Sequence, residues 1–203
     1  MIIDNPALSP LIILLAFGLY GFIHSLLASL QVKALVSALF GKTGDQFYRL
    51  FYNIFAVITI MPILALPFTL PDVIWYSIPT PWRNLMRVVQ LLALGLLGIS
   101  ILQTGTFELL GLSQILGSKQ KERLNTAGLY GYIRHPIYTF SIMAIWLNPS
   151  MTVNSAALTL AFTLYFIFGA MVEERKLVKV LGQEYRDYQA KTPMFVPFLR
   201  GNK

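Results

Sequence analysis

The side chains able to do chemistry in this chain gather in two stretches, Tyr132-Ile133-Arg134-His135-Pro136-Ile137-Tyr138 and Glu173-Glu174-Arg175. In the first, a guanidinium and an imidazole stand directly before a proline; the second holds two adjacent carboxylates. Brought together they would offer both signs of charge to one ligand, as the binding of a charged cofactor requires. Pro136 suits the first turn of a helix and drives the residue before it out of helical geometry. His135 is therefore expected at a helix N-terminus, where anionic groups are also favoured.

Tyr165, Gly169 and Glu173 recur at every fourth position and share a helix face, with Phe166, Ala170 and Glu174 on the adjacent stripe. Two neighbouring carboxylates where a helix leaves a bilayer are costly if buried unpaired. Their plainer reading is a pair turned to the headgroups and neutralised by Arg175 or Lys176. Arg134 and His135 at the same level favour a pocket instead. Tyr185 and Tyr188, three apart in the tail, either line that pocket or anchor the tail at the interface. Counted from Pro10, His24 lies about 21 Å along an apolar run. An ionisable residue at such depth is a functional candidate, with a hydrogen bond to a backbone carbonyl as its plainer role. His24 and Tyr52 are the candidates for catalysis, on their depth alone.

The elements that must position these residues are apolar helices. Of the 203 residues, 56% are hydrophobic and 12% charged, with mean hydropathy +0.62. That is about half the charge of an ordinary soluble domain, too little to cover a soluble surface. The expected fold class is all-α: a polytopic integral membrane protein of about five transmembrane segments. It would be a single membrane-embedded domain over residues 1–203, with a three-helix part at 10–104 and a cofactor-binding hairpin and tail at 128–198.

The first run spans about Pro10 to Leu30 and is read as retained, since Met1-Ile2-Ile3-Asp4-Asn5 lacks a basic leader. A basic loop with Lys33, Lys42, Asp45 and Arg49 follows, with a turn at Gly41 to Gly44. The second run, about Tyr52 to Leu70, is expected to kink or end early at Pro62 and Pro67. Pro71, Trp75, Tyr76, Pro79, Pro81 and Trp82 suit a membrane–water interface. The third run, about Leu85 to Thr104, carries Gly95 and Gly98, which would admit a close neighbouring helix. A polar connector, Gly105 to Tyr132, holds Glu108, Lys119, Lys121, Glu122 and Arg123. The fourth run, Pro136 to Leu147, makes only about 18 Å of helix and does not cross a hydrocarbon core of roughly 30 Å. With the turn at Asn148-Pro149-Ser150 and a full-length fifth run, about Val153 to Val172, it forms a helical hairpin. A basic amphipathic tail helix is expected from about Glu173 to Ala190.

The net charge of +7 reflects topology rather than a nucleic-acid partner. Fourteen of the sixteen Lys and Arg fall on one face, leaving Arg83 and Arg87 opposite. The positive-inside bias puts the N-terminus outside and the C-terminus in the cytoplasm. Cysteine is absent, which excludes disulfides, thiolate metal sites and a Cys nucleophile. No glycine-rich dinucleotide loop, Walker loop or metal-ligand cluster is present, so a soluble Rossmann-type cofactor domain is excluded.

The ordered set Gly128-Leu-Tyr130-Gly-Tyr-Ile-Arg134-His135-Pro136-Ile-Tyr138, Glu173-Glu174-Arg175-Lys-Leu177, Gly182-Gln-Glu-Tyr185-Arg-Asp-Tyr188 and Pro193-Met194-Phe-Val-Pro197 resembles the membrane methyltransferases. These include the isoprenylcysteine carboxyl methyltransferases and phospholipid N-methyltransferases. His24-Ser25-Leu-Leu-Ala28-Ser29, Tyr48-Arg49-Leu-Phe-Tyr52-Asn53 and Asn148-Pro149-Ser-Met151-Thr152 are more similar to bacterial NnrU-like and methanethiol S-methyltransferase-like proteins. The resemblance covers about residues 18 to 198 and implies a bacterial inner-membrane enzyme. It also implies S-adenosylmethionine bound within the C-terminal half. The amino-acid end of the cofactor would meet His135, Glu173 and Glu174, while Arg134, Tyr138, Tyr185 and Tyr188 shape the pocket. The acceptor would be a small thiol or a lipophilic molecule entering from the bilayer. Two other readings stay open. NnrU-like proteins resemble haem-using zeta-carotene isomerases, with His24 and His135 then as axial ligands. A non-catalytic membrane subunit would keep the scaffold alone.

Overall fold

The computed structural model describes residues 5–105 and 124–197. The expected connector residues Glu108, Lys119, Lys121, Glu122 and Arg123 lie outside the described residues. The described residues are all-α apart from one two-stranded ladder, and four of their helices are long and apolar enough to cross a membrane. A fifth, shorter apolar helix is the one expected to be too short to span. The described residues form two compact units: 5–76, 105 and 151–161 in the first, and 77–104, 124–150 and 162–197 in the second.

In the first unit, α1 (Ser9–Ala28) packs on α2 (Leu30–Thr69). Pro10 stands in the first turn of α1, where its missing N–H costs nothing. Ser9, Ile13 and Phe17, four apart, form the buried stripe of α1, while Leu15, Leu19 and Phe22 stay exposed. An exposed run of large apolar side chains is what a lipid-facing helix presents. Ser29 separates the two helices in an extended conformation, and its side chain accepts from the Val32 N–H at 3.3 Å. That contact is an N-cap, worth about 1 kcal/mol.

Two expectations are corrected here, and a third stretch gains a defined structure. The stretch read as a basic loop is helical, and only Gly41, with φ 55°, leaves helical geometry. Glycine tolerates that region, and the kink there divides α2 into two helical segments, within the stretch expected to turn. Pro62 and Pro67 do not terminate α2 either, which runs through both to Thr69. A long apolar helix tolerates prolines when its other backbone bonds hold. Part of the aromatic segment after α2 forms a strand, β1 (Ile74–Ser77), paired with β2 (Ser150–Thr152). The start of α5 (Val153–Leu181) is fixed by local capping: the Ser155 N–H donates to Thr152 Oγ1 at 3.2 Å, and the Thr152 N–H to Ser155 Oγ at 2.8 Å.

In the second unit, α3 (Trp82–Thr104) packs on α4 (Pro136–Trp146), and Gln90 Nε2 donates to the Ala144 carbonyl at 2.8 Å. Outside their own stretch of helix, no atom of the described residues comes within 4 Å of where a Cβ would stand at Gly95 or Gly98, so among these residues no neighbouring helix makes the expected close approach there. Trp146 Nε1 donates to Thr163 Oγ1 at 2.9 Å, which ties α4 to α5 as the two arms of the expected hairpin. The tail is corrected as well. Glu173 and Glu174 lie inside α5, which continues to Leu181; Gly182, at φ 60°, turns the chain into a separate helix α6 (Gln183–Lys191).

Candidate functional site

The site is built on the N-terminus of α4. His135 is the N-cap residue, with φ −124° and ψ 62°, the non-helical geometry that Pro136 imposes. The segment after α6 pairs with it: the Arg134 N–H donates to the Pro193 carbonyl at 2.9 Å and the His135 N–H to that of Met194 at 3.1 Å. The His135 ring is thereby held between the two carboxylates of α5. Its Nε2 lies 3.2 Å from Glu174 Oε1 and its Nδ1 3.8 Å from Glu173 Oε2. Both sequence stretches therefore meet in one cluster.

Arg134 turns the same way. Its Nε donates to Glu174 Oε1 at 2.6 Å, and its Nη1 donates to the Gln189 carbonyl at 3.2 Å and to that of Thr192. Gln189 Nε2 reaches Glu174 Oε2 at 2.9 Å. Glu173 accepts the Tyr138 hydroxyl at 3.0 Å. The Tyr138 ring lies parallel to His135, with centroids 5.4 Å apart and planes at 6°, and stacks on Phe166 at 5.5 Å. The Phe195 ring lies tilted against His135, with centroids 5.9 Å apart. A cationic or apolar group seated beside this column would meet aromatic faces.

Tyr185 and Tyr188 are buried rather than placed at an interface, their rings edge to face at 5.9 Å. The Tyr188 hydroxyl donates to the Tyr130 carbonyl at 2.5 Å, and Tyr130 shares a hydrogen bond with Thr104 at 2.5 Å. These bonds tie α6 to the 3₁₀ turn Gly128–Gly131 and, through it, to α3. Burial pushes the phenols of Tyr130 and Tyr185 up, and that of Tyr188 up to about 12.

His24 and Tyr52 belong to the first unit. The Tyr52 hydroxyl and His24 Nε2 are 2.5 Å apart, and Tyr20 stacks on His24 at 5.4 Å. The plainer role of His24, a bond to a backbone carbonyl, gives way to this side-chain pair. Beside it is a groove of about 270 Å³ whose lining includes Leu19, Tyr20, Phe55 and Thr59. In both histidines Nε2 faces a neighbouring side chain.

Three participants escape a reading of motifs. Gln189, Phe166 and Phe195 carry no titratable signal, and only their places offered one. Phe166 lies two turns before Glu174 on its stripe, Gln189 one turn after Tyr185, and Phe195 inside the Pro193–Pro197 segment.

Residues 88–184 match the family model described as phospholipid methyltransferase. The chain is 35% identical over 113 residues to a methanethiol S-methyltransferase of Pseudomonas deceptionensis, covering 53% of this chain and 43% of that protein. It is 31% identical over 197 residues to methanethiol S-methyltransferase 1 of Bradyrhizobium diazoefficiens, covering 92% of this chain and 66% of the relative. Over 86 residues it is 34% identical to a protein-S-isoprenylcysteine O-methyltransferase of Tribolium castaneum, covering 39% of this chain and 30% of the relative. The chain thus spans less than two thirds of the length of these relatives in two cases and just under it in the third. No solved structure gives a significant match.

Proposed function

The chain belongs to the membrane methyltransferase superfamily, and on that premise we propose that it transfers the methyl group of S-adenosylmethionine to a small thiol or lipophilic acceptor. The observation that carries this reading is the Arg134–Glu174–His135–Glu173–Tyr138 cluster, all of it within the residues that match the family model. The donor set fits such a cofactor. A partly exposed carboxylate suits an ammonium, and the Tyr138 and Phe166 faces suit a sulfonium. When bound, the cofactor supplies a methyl already activated by its sulfonium. The residues of this chain need only hold it, align it and exclude water, which can contribute several kcal/mol.

In this reading the amino-acid end lies beside His135 and the Glu173–Glu174 pair. Arg134, Tyr185 and Tyr188 fix the walls, and His24 with Tyr52 serves the acceptor. The names of the relatives favour a thiol sulfur as acceptor atom. The charge bias supports a C-terminus on the cytoplasmic side, which a C-terminal reporter active only in the cytoplasm would test.

The decisive measurement is calorimetry with S-adenosylmethionine on the full chain in nanodiscs, followed by methyl transfer to thiols from labelled cofactor. Saturable binding with turnover is expected. Absence of binding at millimolar ligand would leave the scaffold reading, and a Soret band in the purified protein would favour haem.

A further inference from the structure

Resting on that reading, we infer that the two adjacent glutamates have separate jobs: Glu173 receives the cationic end of the cofactor, while Glu174 and Arg134 are a positioning pair that holds α6. Consecutive residues on a helix point about 100° apart, and the two carboxylates meet different surroundings. Glu174 is 13% exposed, and both its oxygens are taken: Oε1 by Arg134 and His135, Oε2 by Gln189. Three of its about four acceptor positions are filled, and its low exposure shelters the fourth from a ligand ammonium.

Arg134 is equally committed, and it is only 10% exposed. Besides Glu174 it serves the carbonyls of Gln189 and Thr192, in the last turn of α6 and at its C-cap. Such carbonyls are left without helical partners and are stabilised by a cation. Arg134 and Glu174 together therefore fasten the C-terminal end of α6, the helix that carries the buried Tyr185 and Tyr188.

Glu173 differs on each count. It is 45% exposed and accepts the Tyr138 hydroxyl, and its approach to His135 is the longer of the two at 3.8 Å. An ionised carboxylate has about four acceptor positions, so it retains room for the donors of an ammonium. Tyr138 also fixes which way the carboxylate faces and presents its ring beside it.

The test pairs two probes. S-adenosylhomocysteine carries the ammonium and carboxylate; 5′-methylthioadenosine lacks that end and keeps the nucleoside. For the full chain in nanodiscs, Glu173→Gln is expected to weaken S-adenosylhomocysteine about tenfold or more, the usual loss for a charge-assisted bond. It should leave 5′-methylthioadenosine unchanged. Glu174→Gln should weaken both probes by the same factor.

Thermal unfolding without ligand then gives two double-mutant cycles, using Arg134→Gln, or Arg134→Lys where the former does not fold. Arg134 should couple to Glu174 and not to Glu173. The inference is overturned if Glu173→Gln weakens both probes alike or neither, or if Arg134 couples equally to the two glutamates. Should the wild-type chain bind neither probe, the methyltransferase reading falls and with it the ligand role of Glu173. The thermal cycles still decide the pairing of Arg134 with Glu174.

Discussion

Tyr188 shows at the scale of one residue how much of this site is spent on holding itself together. Its hydroxyl donates to the Tyr130 carbonyl, and burial keeps the phenol protonated well into alkali. A folded-state value raised to about 12, against an unfolded value of 10.0, means that the stability tied to this proton is fully present below pH 10. It is lost as pH rises from there through 12. Tyr188→Phe should lower stability at neutral pH by about 1 kcal/mol, the net worth of one hydrogen bond. It should also flatten part of the alkaline decline between those pH values. Chemical denaturation in detergent across that range checks both. A steep decline unchanged in the variant would assign it to other tyrosines. The chemistry-bearing residues were legible because charged and titratable side chains are rare here and stand out against apolar runs. Their assignment within the cluster was not. Nothing in the order Glu173-Glu174 says which carboxylate meets Arg134, because that depends on where α5 turns the two side chains and on where Gly182 sends the chain next.

Among the elements, the apolar runs were legible because about 20 residues without charge can do little else than form a spanning helix. The shortness of α4 and the turn after it were equally plain. The turn at Gly41 was legible from its glycines; the other junctions were not, since they rest on single backbone conformations that composition does not encode. Gly41 bends α2 and Gly182 divides α5 from α6, both at positive φ, while Pro62 and Pro67, the residues expected to interrupt, lie within a continuous helix. Gly182 is the junction with consequences for the site, because it directs α6 back toward Arg134. A Cβ there would meet no atom beyond its own chain neighbours, so the cost of Gly182→Ala is the backbone strain, about 1–3 kcal/mol. Gly98→Ala is the control: no described atom is close, φ is helical, and alanine is the better helix former. Melting of the two variants in the same detergent should therefore move in opposite directions, or stay unmoved for Gly98→Ala. Equal losses would mean that the Gly182 conformation relaxes.

For the whole molecule, the balance of charge and hydropathy fixed the class, and the grouping of candidates by unit goes beyond what the sequence could say. His24 and Tyr52 fall in the first unit, and Arg134, His135, Tyr138, Glu173, Glu174, Tyr185 and Tyr188 in the second. Each histidine has a network within its own unit: His24 with Tyr52 and Tyr20, His135 with both glutamates. Separate networks imply separable losses. His24→Gln and Tyr52→Phe should reduce kcat with labelled cofactor by about a hundredfold or more if His24 Nε2 handles a proton of the acceptor, the usual range for a general base. They should leave the affinity for S-adenosylhomocysteine within about twofold, because no part of the second network is touched. His135→Gln should show the reverse pattern, with affinity falling first. The split between kcat and binding is the reading that matters here, since a variant that merely loosened the fold would depress both together. If His24→Gln weakens S-adenosylhomocysteine as much as His135→Gln does, the two units do not divide the work, and His24 has to be counted with the cofactor site.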